Sequence, residues 1–189
     1  MTTPLIELYV MGIALDSRTG TPIVVLNDKD NRRALPIWIG TAEASAIIRQ
    51  LENIKSTRPM THDLILNLIE QLNYTVARIE INDLSSDTYY ASVFLEPPKA
   101  QPKTKLEALA LEGSKAPQPL ILDARPSDAI ALALRSQAPI FASTSVMSEG
   151  TISTDQARDE QEAQEFREFL RDIKPSDFQK FNLDEGSDQ

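Results

Sequence analysis

LIELYVMGIALDSRTGTPIVVLNDKDNRRALPIWI, residues 5–39, is the stretch that decides the fold. Its apolar runs are short and rich in β-branched residues, and polar turn residues separate them. LIELYVMGIAL (5–15) reads as a first strand, DSRTGT (16–21) as a turn and PIVVLN (22–27) as a second strand. DKDN (28–31) makes a second turn and RALPIWI (33–39) a third strand, in which Leu35, Ile37 and Ile39 share one face. Three strands joined by short polar turns form an antiparallel meander.

Working outward, Gly40 ends the third strand and Thr41 opens a helix with Ala44, Ile47, Ile48 and Leu51 at helical spacing. Residues 53–59 form a loop. Thr61 then reads as the cap of a second helix, whose Leu64, Ile65, Leu68, Ile69 and Leu72 make a wide apolar stripe. Residues 76–81 alternate as a strand, and TYYASVFL (88–95) is its hairpin partner across DLSSD (83–87). The Pro- and Lys-loaded stretch 96–119 is a surface excursion, with LEALAL (106–111) able to form a short helix inside it. LILDA (120–124) reads as a buried strand. A helix over 126–137 follows, with Ala129, Ile130, Ala133 and Leu134 inward, and PIFA (139–142) is a closing strand.

This order predicts an α+β fold over residues 1–150: a single domain with a mixed, largely antiparallel sheet and packed helices. Residues 151–189 read as an acidic helical tail, helical from Ser153 to about Ile173 and disordered at its end. Its apolar Phe166, Phe169, Leu170 and Ile173 fall only in the second half of that helix, the half expected to dock.

Composition narrows the chemistry. At 41% hydrophobic and 25% charged residues, the 189-residue chain can bury a core without staples. It has no cysteine, which removes thiolate catalysis, disulfides and Cys-based zinc sites. His62 is the single histidine, so one chain cannot supply two imidazoles to a site. Residues 150–189 carry 11 Asp/Glu against 5 Lys/Arg, a balance of −6 that leaves −3 of the total −9 for the body. The body therefore has no broad basic surface on which to hold nucleic acid by counterion release, so a polyanion must be gripped locally. The N-terminus lacks the pattern of a signal peptide, and no apolar run approaches a membrane span of ~20 residues. A cytoplasmic protein without membrane contact is expected.

Six glycines show no phosphate-loop spacing, and no serine sits in a nucleophile elbow. Two segments repeat one design. RPMTHD (58–63) and RPSD (125–128) each place Arg-Pro, a hydroxyl residue and an aspartate at a helix start, the second directly after Asp123 at a strand end. Pro suits the first helical turn and Asp the positive end of the helix dipole, so one reading of Asp63 and Asp128 is capping alone. The functional alternative is a hard-cation site: Asp123 and Asp128 holding Mg²⁺ or Mn²⁺, with Arg58 and Arg125 gripping phosphate oxygens. His62 is a candidate acid or base, and Glu43 a candidate ligand or dipole partner. Trp38, Tyr89 and Tyr90 can stack a base, although strand aromatics more often pack across strands.

The segments LPIWIG (35–40), Glu43-Ala44, RPMTHDL (58–64), DARPSDAIALA (123–133) and APIF (138–141) resemble the bifunctional nuclease domain family, in the family's order. The resemblance spans about residues 5–150, interrupted by the 96–119 excursion. It implies nuclease activity on RNA or DNA, and a homo-oligomer with a dimer favoured. The roles of His62, Asp63, Arg58, Arg125, Glu43, Asp123 and Asp128 rest on the charge argument and on their place in these motifs. The alternative is a non-catalytic binding or regulatory module that assembles with a protein partner or small ligand.

Overall fold

The three runs of residues 5–39 pair as the sequence predicts: β1 (Leu5–Leu15), β2 (Pro22–Asp28) and β3 (Ala34–Trp38) form an antiparallel meander. The structure is a computed structural model and describes residues 4–29, 32–98 and 117–151. Residues 152–189 of the acidic tail and 99–116 of the 96–119 excursion lie outside the described residues. The chain divides into two units, Met1–Thr151 and Ile152–Gln189, and all the described residues belong to the first.

After the meander come α1 (Thr41–Leu51), α2 (Thr61–Gln71), β4 (Thr75–Ser85) and β5 (Thr88–Glu96). Then come β6 (Leu120–Ala124), α3 (Pro126–Ser136), β7 (Ile140–Ser143) and α4 (Thr144–Gly150). The seven described strands form one sheet in the order β3-β2-β1-β7-β4-β5-β6. Every pairing is antiparallel except β4 with β7, so the sheet is mixed and the fold is α+β. The last strand to be made, β7, fills the centre between β1 and β4 and joins the meander to the second hairpin.

One sheet face is apolar. Leu8, Ile140, Ile79 and Val93 follow one another across β1, β7, β4 and β5 in register, all at 5% exposure or less. α3 lies on this side of the sheet, against β4 and β5, with α1 and α2 packed against it in turn. Its Ala129, Ala131 and Ala133 are small enough for neighbours to approach on several sides, and Ile130 is fully buried. Each large apolar side chain removed from water in this way contributes roughly 1.5–3 kcal/mol.

α1, α2 and α3 each stop at a left-handed residue: Asn53 (φ 55°), Asn73 (φ 60°) and Gln137 (φ 56°). The amide of the next residue turns back onto the helix in each case and satisfies one of its last carbonyls: Ile54 on Arg49, Tyr74 on Ile69 and Ala138 on Ala133.

Four expectations are corrected. The β4–β5 turn is tighter than the DLSSD loop, because Ser86 and Asp87 both take positive φ (49° and 59°) and close a two-residue turn matched to strand twist. Thr61 is the first helical residue, not the cap; Met60 holds that position, and its amide donates to Asp63 Oδ2 at 2.8 Å. The strand β6 is an exposed edge with Leu120 at 43%, Ile121 at 64% and Leu122 at 43% exposure. The α2 stripe is only partly inward: Ile69 is buried, while Leu64, Leu68 and Leu72 stand more than half exposed. The helix α4 has no counterpart in the sequence reading; Ser143 Oγ caps it by accepting from the Val146 amide at 3.2 Å.

Candidate functional site

The start of α3 carries a dense cluster of charged contacts. Arg125 is its N-cap, in extended backbone conformation, and Pro126 occupies the first turn as its fixed φ favours. The Arg125 side chain folds back over that turn. Its Nε donates to Asp128 Oδ2 at 2.7 Å and its Nη2 to Asp128 Oδ1 at 3.1 Å, a bidentate pair. Its Nη1 meets Glu43 Oε1, from the first turn of α1, at 2.9 Å. His62, from the first turn of α2, is 3.1 Å from Asp128 Oδ1 through Nε2. Facing a carboxylate acceptor, that nitrogen carries the proton and donates. Three helix N-termini thus converge on one chain of contacts: Glu43, Arg125, Asp128, His62.

Exposure differs sharply along this chain. His62 is 9% exposed and sits inside, whereas the Arg125 side chain is 65% exposed and faces solvent. Of five guanidinium N–H groups, three are used by Asp128 and Glu43, and two remain for a ligand. Gly40 gives Glu43 its place, for a β-carbon at residue 40 would run into the Glu43 carboxylate.

Burial is the largest single influence on Asp128 and pushes its pKa up. The hydrogen bonds from Arg125 and His62, with their charges, together outweigh it and hold the carboxyl below the ordinary 3.8. The hydrogen bonds and charge of Asp128 in turn hold Arg125 more firmly protonated.

Asp63, the next residue of α2, belongs to a second network. Arg135, in the last turn of α3, donates from Nε to Asp63 Oδ1 at 2.6 Å. Its other nitrogens bind the Ala131 carbonyl at 2.9 Å and the Ala46 carbonyl at 3.2 Å, so this 5%-exposed side chain ties α1, α2 and α3 together. For Asp63 too, burial pushes up most strongly, but the Arg135 bond, the Met60 amide and the Arg135 charge leave its pKa lowered. Sequence reasoning missed Arg135. An arginine at a helix C-terminus is the ordinary dipole partner, and nothing local pairs it with a residue 72 positions earlier.

The remaining candidates stand apart. Arg58 is exposed in the loop before α2 and forms no hydrogen bond or ion pair among the described residues. Asp123 is exposed and lies opposite Ser92 in β5, while buried Val93 and Ala91 face Leu122 and Ala124. By strand alternation Asp123 projects on the sheet face away from α3. Asp128, with both oxygens engaged by Arg125 and His62, lies on the helical side. This donor set does not fit a resident divalent ion shared by Asp123 and Asp128, and no group of three or more His, Asp or Glu among the described residues is arranged to hold one. Of the aromatic candidates, Trp38 is 53% exposed with Nε1 donating to Asp16 Oδ2, Tyr90 is 45% exposed, and Tyr89 is partly buried. No helix among the described residues is long and apolar enough to cross a membrane.

Comparison of the sequence with known proteins places the chain in a family. An uncharacterized protein of Mycobacterium tuberculosis is 31% identical over 180 residues, which is 91% of this chain and 97% of that one. Bifunctional nuclease 2 of Oryza sativa subsp. japonica is 27% identical over 139 residues, 72% of this chain but 38% of the rice protein. Bifunctional nuclease 1 of the same plant is 26% identical over 125 residues, 66% of this chain and 33% of that protein, so the match spans about a third of these plant relatives. The sequence profile of the Bifunctional nuclease domain matches residues 24–155, a span that takes in Glu43, His62, Arg125 and Asp128. The chain belongs to the bifunctional nuclease domain family.

Proposed function

We propose that this chain hydrolyses phosphodiester bonds in RNA or DNA, and that the backbone is met at the Glu43–Arg125–Asp128–His62 network. The observation that carries the reading is Arg125: an exposed guanidinium, locked by two carboxylates, with two N–H groups free to fork onto phosphate oxygens. The names of the rice relatives support the reaction class. In this scheme Arg125 binds and orients the phosphate, Glu43 and Asp128 fix the arginine, and buried His62 sets the Asp128 carboxylate.

The local charge argues for a cation. One arginine and two carboxylates sum to −1, which repels a phosphate. The Mg²⁺ or Mn²⁺ expected from the sequence is therefore proposed as a counter-ion carried by the nucleic acid, not as a resident ion of Asp123 and Asp128. The test is incubation of purified full-length protein with single-stranded RNA and DNA oligonucleotides, with Mg²⁺, with Mn²⁺ and with chelator. Expected is cleavage with either metal that falls at least ~100-fold in Asp128→Asn, the scale of losing one preorganised electrostatic group. No cleavage under any of these conditions, or an unimpaired Asp128→Asn, would overturn the reading.

A second reading is a non-catalytic module that pairs with a second copy of this chain. It is favoured by the exposed edge strand β6, apolar at Leu120, Ile121 and Leu122, and by the exposed Leu64, Leu68 and Leu72 of α2. An open apolar edge pairs readily with its own copy about a two-fold axis. Mass in solution tests it: Ile121→Lys should halve the mass of a dimer, and a wild-type monomer refutes it.

A further inference from the structure

A cleft of about 340 Å³ opens on the other flank of the α2 N-terminus, between the end of α1, the loop after it and the end of α3. Arg49, Asn53, Lys55, Ser56, Asp63 and Arg135 line it. Its charges do not cancel. Arg135 and Asp63 neutralise one another at 2.6 Å, while Arg49 and Lys55 form no ion pair among the described residues. The wall therefore carries two unopposed positive charges on a body that is acidic overall.

Arg49 supplies the second observation. Its Nη2 donates to Ser56 Oγ at 3.0 Å, which fixes the guanidinium against the loop. Its Nε is buried and has no hydrogen-bond partner among the described residues. Leaving a charged donor buried and unpaired costs about 1–3 kcal/mol or more, so such an atom in a native fold calls for an explanation. The loop that follows starts at Asn53, whose positive φ reverses the chain, and the Ile54 amide donates to the Arg49 carbonyl at 2.8 Å.

The geometry points to a site for a phosphate monoester of mononucleotide size, its phosphate taken by Arg49 and Lys55 and hydrogen-bonded by the polar wall. The volume falls at the lower end of small-molecule sites, above what a bare phosphate needs, and Ile54 and Met60 supply an apolar flank. Phosphate suits the donors because an arginine fork and a lysine point charge are its two ordinary partners. The site uses none of the residues of the Arg125 network and stands whether or not the chain is a nuclease.

Calorimetric titration of the full chain with adenosine 5′-monophosphate, inorganic phosphate and uncharged adenosine tests it. Expected is binding of the monophosphate, weaker binding of phosphate, and none of adenosine, with affinity falling as salt rises. Arg49→Gln and Lys55→Gln should each weaken the monophosphate by about tenfold or more. Lys55 lies in an exposed loop, so its variant remains informative if Arg49→Gln fails to fold. Phosphate binding as tightly as the monophosphate would overturn the nucleotide-sized ligand. Neither anion binding to folded wild type at ~1 mM, or a folded Lys55→Gln binding as wild type does, would overturn the site.

Discussion

α2 and α3 begin from nearly the same instruction and end in different places. Each is 11 residues long and has an aspartate at its third helical position, with an Arg-Pro dipeptide just before the helix in α2 and across its start in α3. In α3 the arginine is the N-cap itself and clamps its own Asp128. In α2 the arginine, Arg58, lies two residues before the cap Met60 and makes no polar contact among the described residues, while Asp63 is taken by Arg135 of the other helix. α3 packs on β4 and β5 with α1 and α2 against its flanks and buries seven residues; α2 buries two. The lesson is that capping chemistry sets where a helix starts, whereas the layer it falls in decides what its side chains do.

Stability should break along that line. Ile130→Ala in α3 should cost about 3 kcal/mol, read by urea denaturation, because a cavity opens where nothing can collapse into it. Leu68→Ala in α2 should cost under ~0.5 kcal/mol, since the side chain is 57% exposed. Equal losses would remove the distinction.

Arg135→Met comes next, at about 2–3 kcal/mol. That is below the ~3–5 expected for a fully buried pair, because Asp63 is about a third exposed and solvent screens it. Acid should then separate wild type from Asp63→Asn. The Asp63 carboxyl has a folded pKa below its ordinary 3.8, so its stabilisation is complete above that value and is lost as pH falls through the folded one. Unfolding at about pH 6 and about pH 3 should show wild type losing more stability than Asp63→Asn; parallel losses would mean that Asp63 does not supply the acid sensitivity. Smallest in stability is Gly40→Ala, within ~0.5 kcal/mol, yet it should lower cleavage by displacing the Glu43 carboxylate from Arg125.

The elements with local cause were legible in the sequence. Alternation marked β4 and β5, turn residues marked the meander, and Pro126 marked the start of α3. Relations across the chain were not. That Leu64, Leu68 and Leu72 face outward depends on α3 occupying the place beside the sheet, and an apolar stripe looks the same in either case. The edge position of β6 depends on β7 entering the sheet between β1 and β4. At the site, Glu43, His62, Arg125 and Asp128 all stand out as candidates from charge density at helix starts. Their mutual bonds join residues up to 82 positions apart, which no spacing encodes. Asp123 and Asp128 stand apart for a local reason: one lies in a strand where side chains alternate, the other on the helix that follows.

The two arginines offer the sharpest test of the central claim that phosphodiester chemistry takes place at the Arg125 network. Single-turnover cleavage of a labelled single-stranded RNA should be compared in wild type, Arg125→Gln and Arg58→Gln, each shown to be folded by its melting temperature. The account predicts a loss of at least ~100-fold for Arg125→Gln and a change within about twofold for Arg58→Gln. Equal rates for the two variants, or a larger loss at Arg58, would contradict it.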